Sequence, residues 1–521
     1  MKSNRRRGHS RHQRGAALVM VLQISVMVAL AIAGMTIIMT SQHKHNAQNK
    51  RFERSLWVAE SGIQRVISGL RHNNDGVSWG MATTVPSPKG FYWFGDWIAL
   101  NDDQGKKIGE YMVDFINRAE ATNQRLRLRV RAKSFVENGA EDQYVERVIG
   151  VDLTKWTLDN FAIASDNQLG GARINGGSEI HGGILTSGQL HLDSASTGIY
   201  SDYSNLHNTS GGPGVFQGYT PPVVAPKAEV FVFEDPSYTG TECNGCVKVN
   251  NSGLGTNSDP LTAIHTAEND TTIDPGVSGQ PYTTGDGVVG NGEEDYVAEK
   301  IDHEMPEVEF PDTHKDSEFM QARLAEATAN GNSVCGGTSL APTGMILDAA
   351  DVTCGTGLTY TAPSGGNDGR IAINGAVYVY GDLVIKGPVE YTGKGVIFVE
   401  GKSTLTGGLG PQVKADYPND AAIGIVATDD MDISNGSGPD KNYAGSFYSN
   451  KALNLQKSNV FGNLFGREAV NMPTTGTRPT IYVHPLVRAQ LGIPMPDFTR
   501  SIVTVSNWWE MSGTAARTNA N

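Results

Sequence analysis

The 521-residue sequence predicts an α+β chain: a long N-terminal helix packed on a small antiparallel sheet, then a mainly-β parallel β-helix or solenoid that carries a large loop-rich insertion. Three observations predict it. Residues 16–39 carry no charge, and beyond them the apolar positions keep the three-to-four spacing of one helix face as far as Leu70. Residues 125–133 alternate basic and apolar side chains, the period of a strand with one buried face. Glycines then recur every six residues in two separate regions, the pattern of stacked short strands with tight turns.

The helix comes first. Lys2, Arg5, Arg6, Arg7, Arg11 and Arg14 lead into Gly15 with no acidic residue among them. The uncharged run that follows, Ala16 to Met39, covers the hydrocarbon thickness of a bilayer as a helix. Gln23, Ser25 and Thr36 interrupt it singly, which is tolerable because a helix satisfies its own backbone in lipid. The cationic flank keeps the start of the chain in the cytoplasm. A cleaved secretory signal has an apolar core of about 7–15 residues, shorter than this run. A plain signal anchor fits the length and the charge. A helix that continues past the membrane explains more, because Phe52, Leu56, Ala59, Ile63, Val66, Ile67 and Leu70 share one face, with Arg51, Glu53, Arg54, Glu60, Gln64 and Arg65 between them. Residues 16–71 then form one rod of roughly 80 Å, apolar all round over 16–39 and amphipathic beyond.

These residues carry a resemblance. Arg14-Gly15 followed by Ala16-Ala17-Leu18-Val19-Met20, and after the apolar run Trp57-Val58-Ala59-Glu60-Ser61-Gly62-Ile63, look like the N-terminal module of PilX-type minor pilins of type IV pili. The large minor pseudopilins of type II secretion share the look. The resemblance implies that a prepilin peptidase cuts between Gly15 and Ala16 and that the new N-terminus at Ala16 is methylated. Most pilins carry Glu at the fifth mature position, where this chain has Met20; that departure is typical of this subfamily and of the pseudopilin that caps a filament tip. The match is specific over the first 70 residues and extends in pattern to residue 155.

Composition limits the rest. A chain of this length holds several domains, since single cores stop growing well below 521 residues. Removing the six leader cations from the net charge of −13 leaves −19, and an acidic exterior argues against nucleic acid as a partner. Glycine is abundant, at 62 residues, and charged residues make up 19%, which fits an extracellular β-rich body with many turns.

Residues 72–158 supply the small sheet. The aromatic cluster Phe91, Tyr92, Trp93, Phe94 and Trp97 is suited to sugar binding or to core packing, and core packing for the sheet is the reading adopted. Glu110 to Asn117, Arg125 to Lys133 and Tyr144 to Leu153 are the strands; Leu126, Leu128, Val130 and Ala132 face the helix, and the arginine row reads as a solvated outer face.

From Phe161 the chain becomes short β segments. Gly176, Gly182 and Gly188, then Gly375, Gly381, Gly387 and Gly393, then Gly395, Gly401 and Gly407 are spaced by six. Flanking residues agree: Ile174-Asn175-Gly176 reads against Ile373-Asn374-Gly375, and Ala164-Ser165-Asp166-Asn167 against Ala427-Thr428-Asp429-Asp430. Residues 159–200 and 370–510 are therefore assigned to one split solenoid, with 201–369 as an insertion from one rung. Within it, Ser317 to Asn330 reads as a helix with Gly331 as its stop.

All four cysteines, Cys243, Cys246, Cys335 and Cys354, lie in that insertion. The Cys-x-x-Cys pair plus two more admits zinc, but the second pair is widely spaced and the region is extracytoplasmic, where disulfides persist, so Cys243–Cys246 and Cys335–Cys354 are the expected bonds. The loop from Asp286 to Asp295 has oxygen ligands for calcium but lacks EF-hand spacing, and reads as a solvated turn.

Asp429, Asp430 and Asp432 with His181 invite comparison with polysaccharide-cleaving β-helices, which need two carboxylates at a set separation. The sequence has no nucleophile elbow, His-Glu-x-x-His or phosphate-binding loop, so no enzyme activity, cofactor or metal is assigned. The expected function is a minor pilin, held in the inner membrane with a cytoplasmic N-terminus and built into a filament tip after cleavage, its β-rich body serving adhesion or assembly priming. Its expected partners are major and minor pilins along the N-terminal helix, the prepilin peptidase, inner-membrane lipid before assembly, and a surface glycan or protein ligand. The alternative is a membrane-anchored extracytoplasmic β-helix that binds or cleaves polysaccharide.

Overall fold

The structure, a computed structural model, describes residues 9–72, most of 96–234, short strands between 245 and 302, and 312–434, 442–472, 479–497 and 502–510. The chain is α+β and mostly strand, in two compact units: Met1–Lys155 with Val503–Asn521, and Trp156–Ile502.

In the first unit, α1 (His9–His72) is continuous, so the end of the expected leader is already helical. Its C-terminal half buries Val58, Ala59, Ile63, Val66, Ile67 and Leu70. Phe52, expected on the same stripe, is instead exposed, with the Arg147 guanidinium 5.2 Å from its ring. The helix packs on β1 (Ile98–Asn101), β2 (Lys107–Asn117), β3 (Arg125–Phe135) and β4 (Tyr144–Trp156), antiparallel in that order. Leu126, Leu128, Val130 and Ala132 of β3 have no more than 1% exposure, as alternation requires.

Two features of this sheet correct the sequence reading. Its fifth strand is Ile502–Glu510, next to β4, although the glycine pattern assigned those residues to the repeats. Period-two alternation says that a segment is a strand and nothing about its neighbour. The arginine row is not simply solvated. Register sets three of its five cations opposite carboxylates: Arg127 donates to both oxygens of Asp152 (2.7 and 3.0 Å), Arg129 to Asp114 (2.9 Å) and Lys133 to Glu110 (3.1 Å). Such cross-strand pairs hold the sheet's register. Of the aromatic cluster, Trp97 lies 3.6 Å below the Lys133 ammonium, on the polar face, and residues 91–94 lie outside the described residues.

The second unit is built from parallel ladders. Among the described residues, eighteen strands form one sheet and nine another. Twenty residues of chain make one layer where the repeat is cleanest: Gly369 lies against Val389, and Leu383 against Ser403. Gly375, Gly381 and Gly387 mark the corners, with φ between +74° and +85°, conformations that side chains with a Cβ resist. Inside the layers, Ile373, Val377, Ile385, Tyr391, Ile397 and Leu405 belong to one buried core. Outside, Tyr378 and Phe398 are covered by Met320 and Ala327 of α2 (Glu318–Ala329), whose N-cap Ser317 accepts the Met320 N–H and which is followed by Gly331 at φ +60°.

Residues 201–369 are more than an insertion, because they add layers at both ends of the ladder. Glu229–Phe233 pairs with Gly183–Ser187, Ala263–Thr266 with Glu229–Phe233, and Lys300–Asp302 with Ala263–Thr266; at the other end Met345–Leu347 pairs with Leu383–Lys386. Long connections between these layers break the glycine period that exposes the others. The chain thus starts mid-ladder at Phe161–Ser165, builds outward to residue 302, restarts at the far end near residue 334 and returns to the middle. There Asn459–Gly466 pairs with Phe161–Ser165, and Asn463 Nδ2 donates to the Phe161 carbonyl at 2.8 Å.

Candidate functional site

The first candidate surface is the N-terminal half of α1. Met20–His43 has a mean hydropathy of 2.3 and no buried share, which makes it long and apolar enough to cross a membrane. Met20, Leu22, Met27, Leu30 and Ile37 are each at least 66% exposed. Three of its hydroxyls are satisfied within the helix: Ser25 donates to the Val21 carbonyl, Thr36 to Ile32 and Thr40 to Thr36, at 2.7–2.8 Å. These three groups therefore present no unmet donor to an apolar environment. Gly15 and Ala16 lie within α1, and their side-chain surroundings fall outside the described residues.

The aspartates of the enzyme comparison are occupied. Asp429 pairs with Lys451 at 2.7 Å, and this contact holds its carboxyl below the ordinary range. Burial pushes Asp432 up, but hydrogen bonds from Lys402 (2.6 Å) and Asn454 (2.8 Å) outweigh it and leave the group below its ordinary value. Asp430 Oδ1 accepts the Ala452 N–H from the next layer at 3.2 Å. Asp429 and Asp432, stabilised in the ionised form, are poor proton donors near neutral pH, and all three aspartates tie adjacent layers together. His181 is buried elsewhere in the unit, stacked on Tyr482 with ring centroids 4.0 Å apart.

Cys335 and Cys354 are bonded to each other. Cys243 and the side chain of Cys246 lie outside the described residues, so that pairing stays an expectation. The bond closes a 19-residue span near one end of the ladder, where Val352–Cys354 pairs antiparallel with Leu358–Thr361. Because that pairing already restrains the segment, Cys335→Ser with Cys354→Ser should cost about 2 kcal/mol, the low end of the usual range, read as a lower urea midpoint. In the acidic loop, Val288–Val289 and Glu294–Asp295 form a two-stranded hairpin, and among the described residues no group of three acidic, His or Cys side chains is placed to hold a metal.

Sequence reasoning missed the buried Arg488, which ties the entry of the second unit to its exit. Arg488 lies over Phe465, 3.3 Å from Asp159, and donates to the Pro496 carbonyl. No local pattern marks a lone arginine as buried. Compared with known proteins, the chain matches no protein-family model, no curated protein and no solved structure.

Proposed function

We propose that this chain is a minor pilin of the PilX type, located at a filament tip. The observation that carries the reading is one unbroken helix with two different halves: residues 20–43 exposed and apolar, residues 58–70 buried against a small antiparallel sheet. The exposed half matches lipid before assembly and sister helices afterwards, so assembly exchanges one apolar environment for another. Cleavage between Gly15 and Ala16 removes the cationic leader that holds the helix in the inner membrane with its N-terminus in the cytoplasm. The parallel ladders of the second unit are, in this reading, a β-solenoid with three short strand segments per rung. Its bulk suits a terminal position better than one repeated along a thin fibre, and there it serves adhesion or assembly priming.

Mass spectrometry of the N-terminus after co-expression with a prepilin peptidase tests this. The expected product begins at methylated Ala16, and Gly15→Val leaves the leader uncut. An intact leader on the unsubstituted chain would overturn the proposal in favour of a membrane-anchored polysaccharide-binding β-helix.

A further inference from the structure

Between helix residues 54–61 and the hairpin joining β1 to β2 lies an open groove of 440 Å³. Val58 is buried at its base, with Ile108 and Phe135 beside it, while Trp57 stands 68% exposed along its wall. Arg54, Lys106 and Lys107 supply the charge, against one carboxylate, Asp102. That carboxylate is committed: its Oδ1 accepts the N–H groups of Gln104 and Lys106 at 3.0 and 2.8 Å, which fixes the turn carrying Lys106. Lys107 pairs with Glu110 at 2.9 Å and lies 4.7 Å from the Phe135 ring centroid.

An exposed lysine, Lys106, beside an apolar base is a positive feature on a chain of net charge −13. Helix positions 54, 57, 58 and 61 share one face and run for two turns, so the groove has the length of a short helix or extended segment. We infer that it docks an acidic amphipathic segment of a neighbouring polypeptide, with apolar side chains against Trp57, Val58 and Ile108 and carboxylates toward Lys106. Neutral sugar hydroxyls would leave the Lys106 ammonium without a counter-charge, which disfavours a neutral glycan. That the neighbour is a filament subunit rests on the proposed function; the chemistry of the groove does not.

Fluorescence anisotropy on the full chain in detergent micelles tests the inference with two labelled helical peptides of identical leucine positions, one flanked by glutamates and one by lysines. The glutamate peptide should bind, more weakly at high salt, and about tenfold more weakly to Trp57→Ala and to Lys106→Glu. Lys106→Glu should also improve binding of the lysine peptide. Both changed residues are exposed, so neither variant is expected to unfold. Equal binding of both peptides, no binding of the glutamate peptide, or variants that bind like the parent chain overturns the inference. Oligogalacturonate binding in place of the peptide assigns the groove to acidic glycans and overturns it as well. The state of Ala16 reports separately on the filament reading.

Discussion

Gly462→Ala should abolish the cooperative folding of the second unit or weaken it by at least about 4 kcal/mol, an effect that single substitutions reach only through a specific steric or polar fault. Gly462 sits directly opposite Gly445 in adjacent layers, with φ values of +148° and +155°. A Cβ on Gly462 would lie 1.8 Å from the Gly445 carbonyl oxygen, backbone against backbone, so no side chain can move to make room. Relief requires the two strands to part beyond their spacing of about 4.8 Å, which breaks the ladder. The same strand also closes the seam with Phe161–Ser165 through the Leu464–Ile163 and Phe465–Ala164 pairs, so the damage spreads to both halves of the ladder. Gly387→Ala is the control: φ is +79° but nothing lies within 4 Å, and about 1–2 kcal/mol of backbone strain is expected. Urea unfolding of both variants, followed by far-UV circular dichroism, separates the two costs; equal midpoints would show that the layers tolerate the closer contact.

Acidification should destabilise the second unit from about pH 6.5 downward through His484. This side chain is 2% exposed, its ring lies 5.6 Å from that of Tyr417 and 5.2 Å from that of Phe461, and its Nδ1 accepts the Leu486 N–H at 3.3 Å. Burial lowers its pKa from the ordinary 6.5 to about 4. Between those values the unfolded chain binds a proton that the folded chain refuses. The stabilisation is therefore complete above pH 6.5 and is lost progressively as pH falls to about 4, for a total of about 3 kcal/mol. His484→Gln removes this titration, so its urea midpoint should change less across that window. Below it, Asp429 and Asp432, whose carboxyls are held low by their lysine partners, extend the loss as they protonate. A parent chain and a His484→Gln variant with the same slope between pH 6.5 and 4 would rule out His484 as the cause.

How much of this was legible in advance differs by element. The capped helix at Ser317 was readable to within a residue, because an N-cap hydroxyl and a terminal glycine act within one turn of chain. The buried face of β3 was readable for the same reason: alternation is written in nine consecutive residues. Tyr417, Phe461 and His484 gave no such signal; their contact brings together three segments, and nothing along the chain marks one histidine as buried and neutral. The Asp429–Lys451 and Asp432–Lys402 pairs were equally hidden, since each joins different layers. Trp57 entered the sequence reading only through a resemblance, and its place on a cationic groove depends on a hairpin more than forty residues away.

Elements whose cause is local were already written along the chain: the uncharged run and its amphipathic continuation, the alternating strands, and the glycine corners between short strands. Tertiary structure alone decided which segments meet. It gave Ile502–Glu510 to the first sheet, turned residues 201–369 into layers at both ends of the ladder, and joined residues 161–165 to 459–466 in its middle. The physical reason is that periodicity fixes which face of a segment must be buried, whereas the surface that buries it is selected by the fit of many parts at once, across separations that no local pattern records.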